Sequence, residues 1–397
     1  MYFNQHDSAC HRNLAYAEYV ILKMLGLSPW SLNTVPANNP KNRRVSNSYK
    51  FSCLGSFYNI LLITTAVLIL VYVLKTNNYS TEDSSEIIFS FVMLQFLIYF
   101  NFNLLIFFIV ILTIGQKKII VILNQLKYVD ERLQKCAFFK IDNSNTIHVI
   151  FITNLVISLS FIIVLCFYHE IYMIPIVFSP ALIYNCIIFQ YSMLLDTINK
   201  RFKSINSTLA KLGDIKSYED STNTLSVTKM SLLRGSLLYD IVNLKLAYIK
   251  LCEISQKVSD FFGLKILHVT VYIGQTSTII IYSTILHYLK TYHIDFLMMI
   301  DLSIVVWMNI AIFVLTNYVT KTINESTETP VIINYLIDRC TVDEKVEKEL
   351  DYFLYEISSQ KVEFTAYGII PLDRSLLATM IGTCATYLII CIQFRSK

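Results

Sequence analysis

The chain has 397 residues, of which 54% are hydrophobic and only 16% are charged, and its formal net charge is +4. A chain of this length with so few charged residues could not cover the apolar surface of soluble domains. The composition therefore excludes a soluble protein and indicates an α-helical integral membrane protein. The small numbers of glycine (9) and proline (7) also exclude a loop-rich architecture.

Seven apolar stretches are long enough to cross a membrane, which takes about 20 residues in an α-helix. They cover residues 51–74, 87–114, 147–168, 171–195, 263–289, 296–318 and 376–394. Only His169 and Glu170 separate the third stretch from the fourth, so these two helices are expected to form a hairpin. The sequence therefore predicts seven transmembrane helices.

The distribution of positive charge predicts the orientation of these helices. Most of the 33 Lys and Arg residues lie before the first span and in the second, fourth and sixth loops. Loops rich in Lys and Arg stay in the cytosol, so the N-terminus is predicted to be cytosolic and the C-terminus extracellular, in the plasma membrane. A glycosylation sequon at Asn78 falls in the first external loop, in agreement with this orientation.

The predicted spans divide the chain into six segments. They are a cytosolic N-terminal segment at 1–50, spans one to four at 51–195, a cytosolic helical loop at 196–262, spans five and six at 263–318, a cytosolic helical anchor segment at 319–372, and the last span with a short extracellular tail at 373–397. Within the first segment, residues 31–50 contain two prolines and several asparagines, a composition typical of a linker.

Both long cytosolic segments carry apolar residues at helical spacing. In the fourth loop these are Leu237, Ile241, Leu244, Tyr248, Leu251, Val258 and Phe262, and in the sixth loop they are Val346, Leu350, Phe353 and Ile357. The first helix is expected to continue directly into the fifth span, and a capping box at 341–344 would begin the second. We predict that these helices form an anchor bundle under the membrane; the alternative is that their apolar faces lie on the membrane surface.

The last span carries a polar stripe. On a helical wheel, Ser375, Thr379, Thr383, Thr386, Ile390 and Gln393 fall within about 80° of one another. Such a stripe can line water in a pore, where copies of Gln393 would form a ring of amides and Ile390 or Phe394 an apolar constriction. It can equally serve helix packing, because Ser and Thr often bond their own backbone and Gln can join two helices. The wheel alone leaves both interpretations open.

Three stretches resemble a known family. TYLIICIQF at 386–394 resembles the motif TYhhhhhQF (h, apolar) that ends the last helix of insect gustatory receptors. FTAYGIIPLDRSLL at 364–377 is similar to the family's approach to that helix, and LAYIKLCEISQKVSDFFG at 246–263 is similar to the segment before its fifth span. Leu388 stands where sugar receptors usually carry Glu, which favours a bitter or other non-sugar member.

This resemblance implies an all-α membrane protein that works as a ligand-gated, non-selective cation channel, and no cofactor is expected. Four identical or related subunits would surround a central pore and meet at the anchor bundle, with membrane lipid around them. The agonist would be a small-molecule tastant, with a bitter plant compound favoured. The resemblance assigns the pore and gate to Gln393, Phe394, Ile390, Thr386, Thr383 and Thr379.

The ligand pocket is expected in the outer halves of the first six spans. With the predicted orientation, these halves contain Gln95, Tyr99, Tyr184, Asn185, Thr278, Tyr282, Asp301 and Trp307. Aromatic walls with a few polar groups suit a small organic ligand. Asp301 could hold a cationic ligand such as an alkaloid, because an ionisable group inside a span usually has a function. The alternatives are packing or interfacial roles for each residue, and for Asp301 a hydrated position near the outer surface.

Other classes of protein fit less well. The chain contains no nucleotide, zinc or serine-hydrolase motif, no paired metal ligands, and no basic stripe for nucleic acid. A transporter would need interrupted helices in matched halves. The remaining alternatives are a seven-helix receptor that signals through G proteins, which requires the opposite orientation, and a sugar-sensing or odorant-type receptor channel.

Overall fold

The computed structural model describes residues 9–35, 46–77, 106–107, 109–141, 144–168, 173–220, 227–339 and 344–395. Several predicted features lie outside these residues. They are most of the second span with Gln95 and Tyr99, the hairpin at His169 and Glu170, the sequon at Asn78, and the first three residues of the capping box at 341–344.

The described chain is almost entirely helical. The elements are α1 (Ala9–Met24), β1 (Ser31–Val35), β2 (Ser46–Lys50), α2 (Cys53–Asn77), α3 (Gln116–Leu133), α4 (Thr146–Tyr168), α5 (Met173–Asp220), α6 (Val227–Thr291), α7 (Phe296–Arg339), α8 (Glu344–Ser358), β3 (Thr365–Ala366), β4 (Ile370–Pro371) and α9 (Ser375–Arg395). The strands form two antiparallel pairs, β1 with β2 and β3 with β4. The architecture is therefore all-α apart from two short hairpins.

Five described helices are long and apolar enough to cross a membrane. The qualifying segments are 146–164 in α4, 180–212 in α5, 236–291 in α6, 296–338 in α7 and 375–393 in α9, and α2 carries a shorter apolar segment at 53–68. The 65 residues of α6 make a helix about 100 Å long at 1.5 Å per residue. A hydrocarbon core is only about 30 Å thick, so α6 must continue well beyond the membrane, as the sequence predicts.

The extensions of α5, α6 and α7 pack with α3 and α8 into one body, which we call the anchor bundle. Its centre contains three rings from three helices. Tyr248 lies 5.3 Å from Phe202 and 5.9 Å from Phe353 between ring centroids, both in edge-to-face geometry. The predicted apolar stripes of α6 and α8 are buried here, with Leu237 partly buried. The stripes therefore pack against protein, and the alternative of a membrane-surface location is wrong for them.

Buried ion pairs join the helices of the anchor bundle. The guanidinium of Arg201 in α5 donates two hydrogen bonds of 2.8 Å to the two carboxylate oxygens of Asp130 in α3. Lys245 in α6 donates to Glu349 in α8 at 2.5 Å, and its ammonium lies 4.3 Å from the centroid of the Tyr352 ring. These contacts fix which helices are neighbours, because a buried charge is stable only beside its partner.

The N-terminal region corrects one prediction. Residues 31–35 and 46–50 pair as a β-hairpin with Ser31 opposite Lys50, so the linker predicted at 31–50 is wrong for these strands. The preceding segment is packed among the helices. The amide of Gln190 donates to the Leu27 carbonyl at 3.3 Å, and the amide of Asn59 donates to the Gly26 carbonyl at 3.0 Å. The prolines and asparagines of this region predicted a loop from local sequence. The pairing of 31–35 with 46–50 and the contacts of residues 26–27 depend on distant residues.

Three borders of the predicted segments fall inside continuous helices. Residues 195–196 lie within α5, 262–263 within α6 and 318–319 within α7. No helix end marks these three borders, so they stay predictions.

Candidate functional site

The last helix, α9, is held against α6 by one face only. Leu376, Leu377, Met380, Cys384, Leu388 and Cys391 are the buried or half-buried residues of this packed face. The Cys384 thiol lies 3.5 Å from the Gly274 carbonyl of α6. Only 11% of the membrane-length segment of α9 is buried. Most of the surface of α9 is therefore exposed on the outside of the subunit.

The predicted polar stripe lies on this exposed side. Its six residues are centred about 130° around the helix from the centre of the packed face, at 3.6 residues per turn. Thr379, Thr383, Thr386, Ile390 and Gln393 are all exposed, and the side chain of Phe394 lies outside the part that the structure describes. A methyl group added at Gly382 would meet nothing within 4 Å. The stripe is thus not packed inside a single subunit.

The threonines of the stripe bond to their own helix. Thr379 donates to the Ser375 carbonyl at 3.0 Å, and Thr383 donates to the Thr379 carbonyl at 2.8 Å. Thr386 donates to the Gly382 carbonyl at 2.9 Å. This is the bonding that the packing interpretation predicts. It uses only the hydroxyl protons, however, and the exposed oxygens remain acceptors for water or for a neighbouring chain.

A β-hairpin determines where α9 begins. In the β3–β4 hairpin, Tyr367 and Gly368 take the left-handed φ values of 56° and 71° that a tight turn requires. Asp373 then caps α9, because its carboxylate accepts a hydrogen bond of 2.9 Å from the Ser375 amide. The hairpin and the cap together set the direction in which the last helix leaves the anchor bundle.

The hairpin is fixed to α6 by close contact. The Thr365 amide donates to the Ser259 hydroxyl at 3.2 Å. A methyl group at Gly263 would lie 2.8 Å from the Tyr367 nitrogen, so the two backbones can approach this closely only because residue 263 has no side chain. The sequence analysis included Gly263 at the end of the stretch 246–263 that is similar to the family, but it missed this contact. No local sequence pattern reveals which strand a glycine in a helix contacts.

Three of the predicted ligand residues are deeply buried. Tyr184, Asn185 and Trp307 are 1%, 2% and 3% exposed. The Tyr184 ring lies 4.5 Å from that of Tyr272, and the Trp307 ring lies 5.8 Å from that of Phe161, between centroids. The structure thereby pairs aromatic side chains of α5 with α6 and of α4 with α7.

The other predicted ligand residues are placed less deeply. Thr278, Tyr282 and Asp301 are half-buried, and the Thr278 hydroxyl donates to the Gly274 carbonyl at 2.9 Å. Sequence reasoning missed Tyr272 and Phe161. Tyr272 lies six residues before Thr278 on α6. Its aromatic side chain was the only feature of the sequence that could have indicated a place in the site. The buried amide oxygen of Asn185 has no hydrogen-bond partner among the described residues, which makes it a polar group available to a ligand.

Almost the whole chain is similar to known chemosensory receptors. A family model described as 7tm Chemosensory receptor matches residues 16–397. A Drosophila melanogaster protein named as gustatory receptor 28a is 24% identical over 246 residues, which are 54% of this chain and 54% of that protein. A second one, named as gustatory receptor 28b, is 34% identical over 88 residues, 22% of this chain and 18% of that protein. The chain thus spans about half the length of the first relative.

Solved structures give the fold. The insect olfactory receptor OR5 from Machilis hrabei superposes with a TM-score of 0.61 at 11% identity, and the match covers 96% of this chain and 98% of that one. The same receptor in complex with eugenol gives a TM-score of 0.51 at 12% identity with the same coverage. The predicted fold, an all-α membrane protein with seven transmembrane helices and long helical extensions, is confirmed.

Proposed function

Because the chain belongs to the 7tm chemosensory receptor family, we propose that it is a ligand-gated, non-selective cation channel opened by a small-molecule tastant. The predicted relationship to insect gustatory receptors is confirmed by the family match and by the Drosophila relatives. Membership of a receptor family is also the reason for not proposing an enzyme. The bitter, non-sugar class of tastant rests on Leu388 alone.

The single observation that carries the channel proposal is the exposed polar stripe of α9. A helix surface that faces lipid is mostly apolar, and α4 has Val149, Val156 and Ile163 exposed. The exposed side of α4 also carries the hydroxyls of Thr153 and Ser160, but it has no exposed amide among the described residues. The exposed stripe of α9 carries an amide as well as hydroxyls. Such a surface in a membrane is stable against water or against another protein surface. Copies of α9 around one axis provide both.

We place the pore along this axis and its gate near the end of α9. Four subunits would align Thr379, Thr383 and Thr386 along a hydrated path. Gln393 would supply a neutral ring of amides that contacts a partly hydrated cation, and Ile390 or Phe394 would close the path by excluding water. The N-terminus would be cytosolic and the C-terminus extracellular, as the distribution of Lys and Arg favours. A receptor opened by an external tastant would lie in the plasma membrane.

We place the ligand among the aromatic residues that α4 to α7 contribute. Tyr184, Tyr272 and Trp307 offer ring surface, and Asn185 offers an unsatisfied carbonyl oxygen. This combination of apolar walls with a few polar groups is typical of sites for small organic ligands. Gln95, Tyr99, Thr278, Tyr282 and Asp301 complete the proposed site, the last as a partner for cationic agonists.

The channel proposal is tested by cysteine accessibility in α9. In a background with Cys384 and Cys391 replaced by Ala, Thr383→Cys is expected to react with a charged, water-soluble thiol reagent, because residue 383 faces the hydrated axis. The chain is expressed alone, an agonist is found by calcium imaging with a panel of plant alkaloids, and agonist-evoked current is recorded. We expect the reagent to remove most of the current.

The matched control is Ile381→Cys, which is 67% exposed but lies off the stripe. Its current is expected to be unchanged by the reagent. Equal modification of both variants, or an agonist response carried entirely by second messengers without current, would contradict the pore assignment and favour the G-protein alternative.

The role of Asp301 is tested by Asp301→Asn. Loss of a charge-assisted hydrogen bond to a cationic agonist, worth about 1.5–3 kcal/mol, should raise the half-maximal concentration about tenfold or more, while neutral agonists keep theirs. The measurement is a dose–response curve for one charged and one neutral agonist. Asp295→Asn serves as the control, since Asp295 pairs with His287 at 2.8 Å in the exposed turn between α6 and α7. An identical shift for both agonists would rule out direct ion pairing.

A further inference from the structure

A polar cavity lies where α4, α5 and α7 change from apolar to charged sequence. Its volume is about 360 Å³, and three lysines and three carboxylates line it: Lys200, Lys203, Lys321, Asp196, Glu325 and Glu328. The opposite charges balance in number. A ligand that carries only negative or only positive charge therefore does not complement the charges of the whole lining.

Four of these six charges are already engaged. Lys200 donates to Asp196 at 2.7 Å and to the Ser144 carbonyl at 2.7 Å. The Asn206 amide donates to the Glu325 carboxylate at 3.2 Å, and Lys203 lies close enough to Glu325 to attract it. These groups form a fixed frame and contribute little further binding capacity.

One cation, one anion and one acceptor remain in the cavity. Within the part of the chain that the structure describes, neither Lys321 nor Glu328 has an ion-pair partner, and the Lys321 ammonium lies 5.2 Å from the Tyr318 ring centroid. The buried side-chain carbonyl oxygen of Asn199 has no hydrogen-bond partner among the residues that the structure describes. A buried acceptor left unbonded is costly, so this atom favours a ligand that donates hydrogen bonds.

The composition of the three helices predicts that the cavity lies at the depth of lipid headgroups. The membrane-length segment of α4 begins at Thr146, which lines the cavity, and only 28% of that segment is buried. The apolar sequences of α5 and α7 give way to charged residues at Asp196 and Lys321. All three helices therefore leave the hydrocarbon at this level, beside an α4 surface that lipid chains can cover.

We propose that this cavity binds a ligand carrying both a phosphate and a primary ammonium, as the headgroup of phosphatidylethanolamine does. Lys321 receives the phosphate, while Glu328 and the Asn199 carbonyl accept hydrogen bonds from the ammonium. Phosphatidylcholine carries the same charges, but its quaternary nitrogen has no N–H group to donate. Comparison of the two lipids thus distinguishes recognition of the ammonium from general attraction to a phosphate.

The experiment uses the full chain purified in nanodiscs of phosphatidylcholine with increasing fractions of phosphatidylethanolamine. A ligand that binds the folded state raises the apparent unfolding temperature. We expect a saturable rise for the wild type. In Lys321→Ala and in Glu328→Gln the half-saturating fraction should increase about tenfold, the effect of losing one charge-assisted hydrogen bond.

Free O-phosphoethanolamine, added to phosphatidylcholine nanodiscs, identifies the source of the ligand. A rise only with the lipid assigns the cavity to a headgroup, and a rise with both assigns it to the zwitterion from either source. Lys211→Ala and Glu347→Gln are the matched controls, since these exposed residues lie outside the cavity. The proposal is overturned if phosphatidylethanolamine has no effect, or if all four variants respond like the wild type. Either result leaves the channel proposal untouched.

Discussion

Gly263→Ala is expected to lower agonist-evoked current at least about tenfold, and Gly263→Val to abolish it, without removing the protein from the cell surface. The added methyl group would lie 2.8 Å from the Tyr367 nitrogen, which is a backbone atom and cannot rotate away. Overpacking of this kind costs about 1–3 kcal/mol, and here the strain falls on the hairpin that starts α9. The hairpin must move away from α6, and the last helix moves with it.

The measurement combines whole-cell current with surface biotinylation. The matched control is Gly274→Ala in the same helix, because a methyl group there meets nothing within 4 Å. Both changes replace Gly by Ala in α6 and share the gain in helix propensity of about 1 kcal/mol, so any difference between them reports the contact with the hairpin. Normal currents in Gly263→Ala would show that the hairpin does not position α9.

Asp130→Ala is expected to destabilise the folded protein by about 3–5 kcal/mol, because it removes the carboxylate that accepts two hydrogen bonds from the buried guanidinium of Arg201. Both residues are 3% exposed, and two hydrogen bonds of 2.8 Å join them. The loss should appear as a marked fall in the temperature at which the detergent-solubilised protein loses its monodisperse peak in size-exclusion chromatography.

Two further variants make this result specific. Glu131→Ala removes an exposed partner 3.9 Å from Lys127 on the same helix, and exposed pairs contribute less than about 1 kcal/mol. The double variant Asp130→Leu with Arg201→Met is expected to recover most of the stability, since apolar residues of similar size often replace a buried ion pair without loss. A wild-type unfolding temperature for Asp130→Ala would refute the structural role of the pair.

The helix α6 connects the regions on which the proposed function depends. Its C-terminal part carries Tyr272 beside Tyr184, its middle carries Gly263 against the β3–β4 hairpin, and its N-terminal part carries Tyr248 in the anchor bundle. Tyr272 and Gly263 lie on one continuous helix, so a displacement at the first can reach the hairpin that contacts the second. Under the proposed function, a ligand beside Tyr272 would therefore bias the position of α9.

The sequence by itself determined the class of protein, the helices and their faces. Membrane spans follow from run length, and the buried stripes of α6 and α8 follow from spacing, because both depend on residues within a few turns of one another. The same local information predicted the polar stripe of α9.

Only the tertiary structure decided which distant segments meet. Arg201 and Asp130 are 71 residues apart, and Thr365 and Ser259 are 106 apart. Each of these polar groups has many alternative partners in the sequence, and the choice among them depends on how whole helices pack. For the same reason the sequence could not reveal the burial of the segment before β1, the glycine contact below α9, or the cavity between α4, α5 and α7.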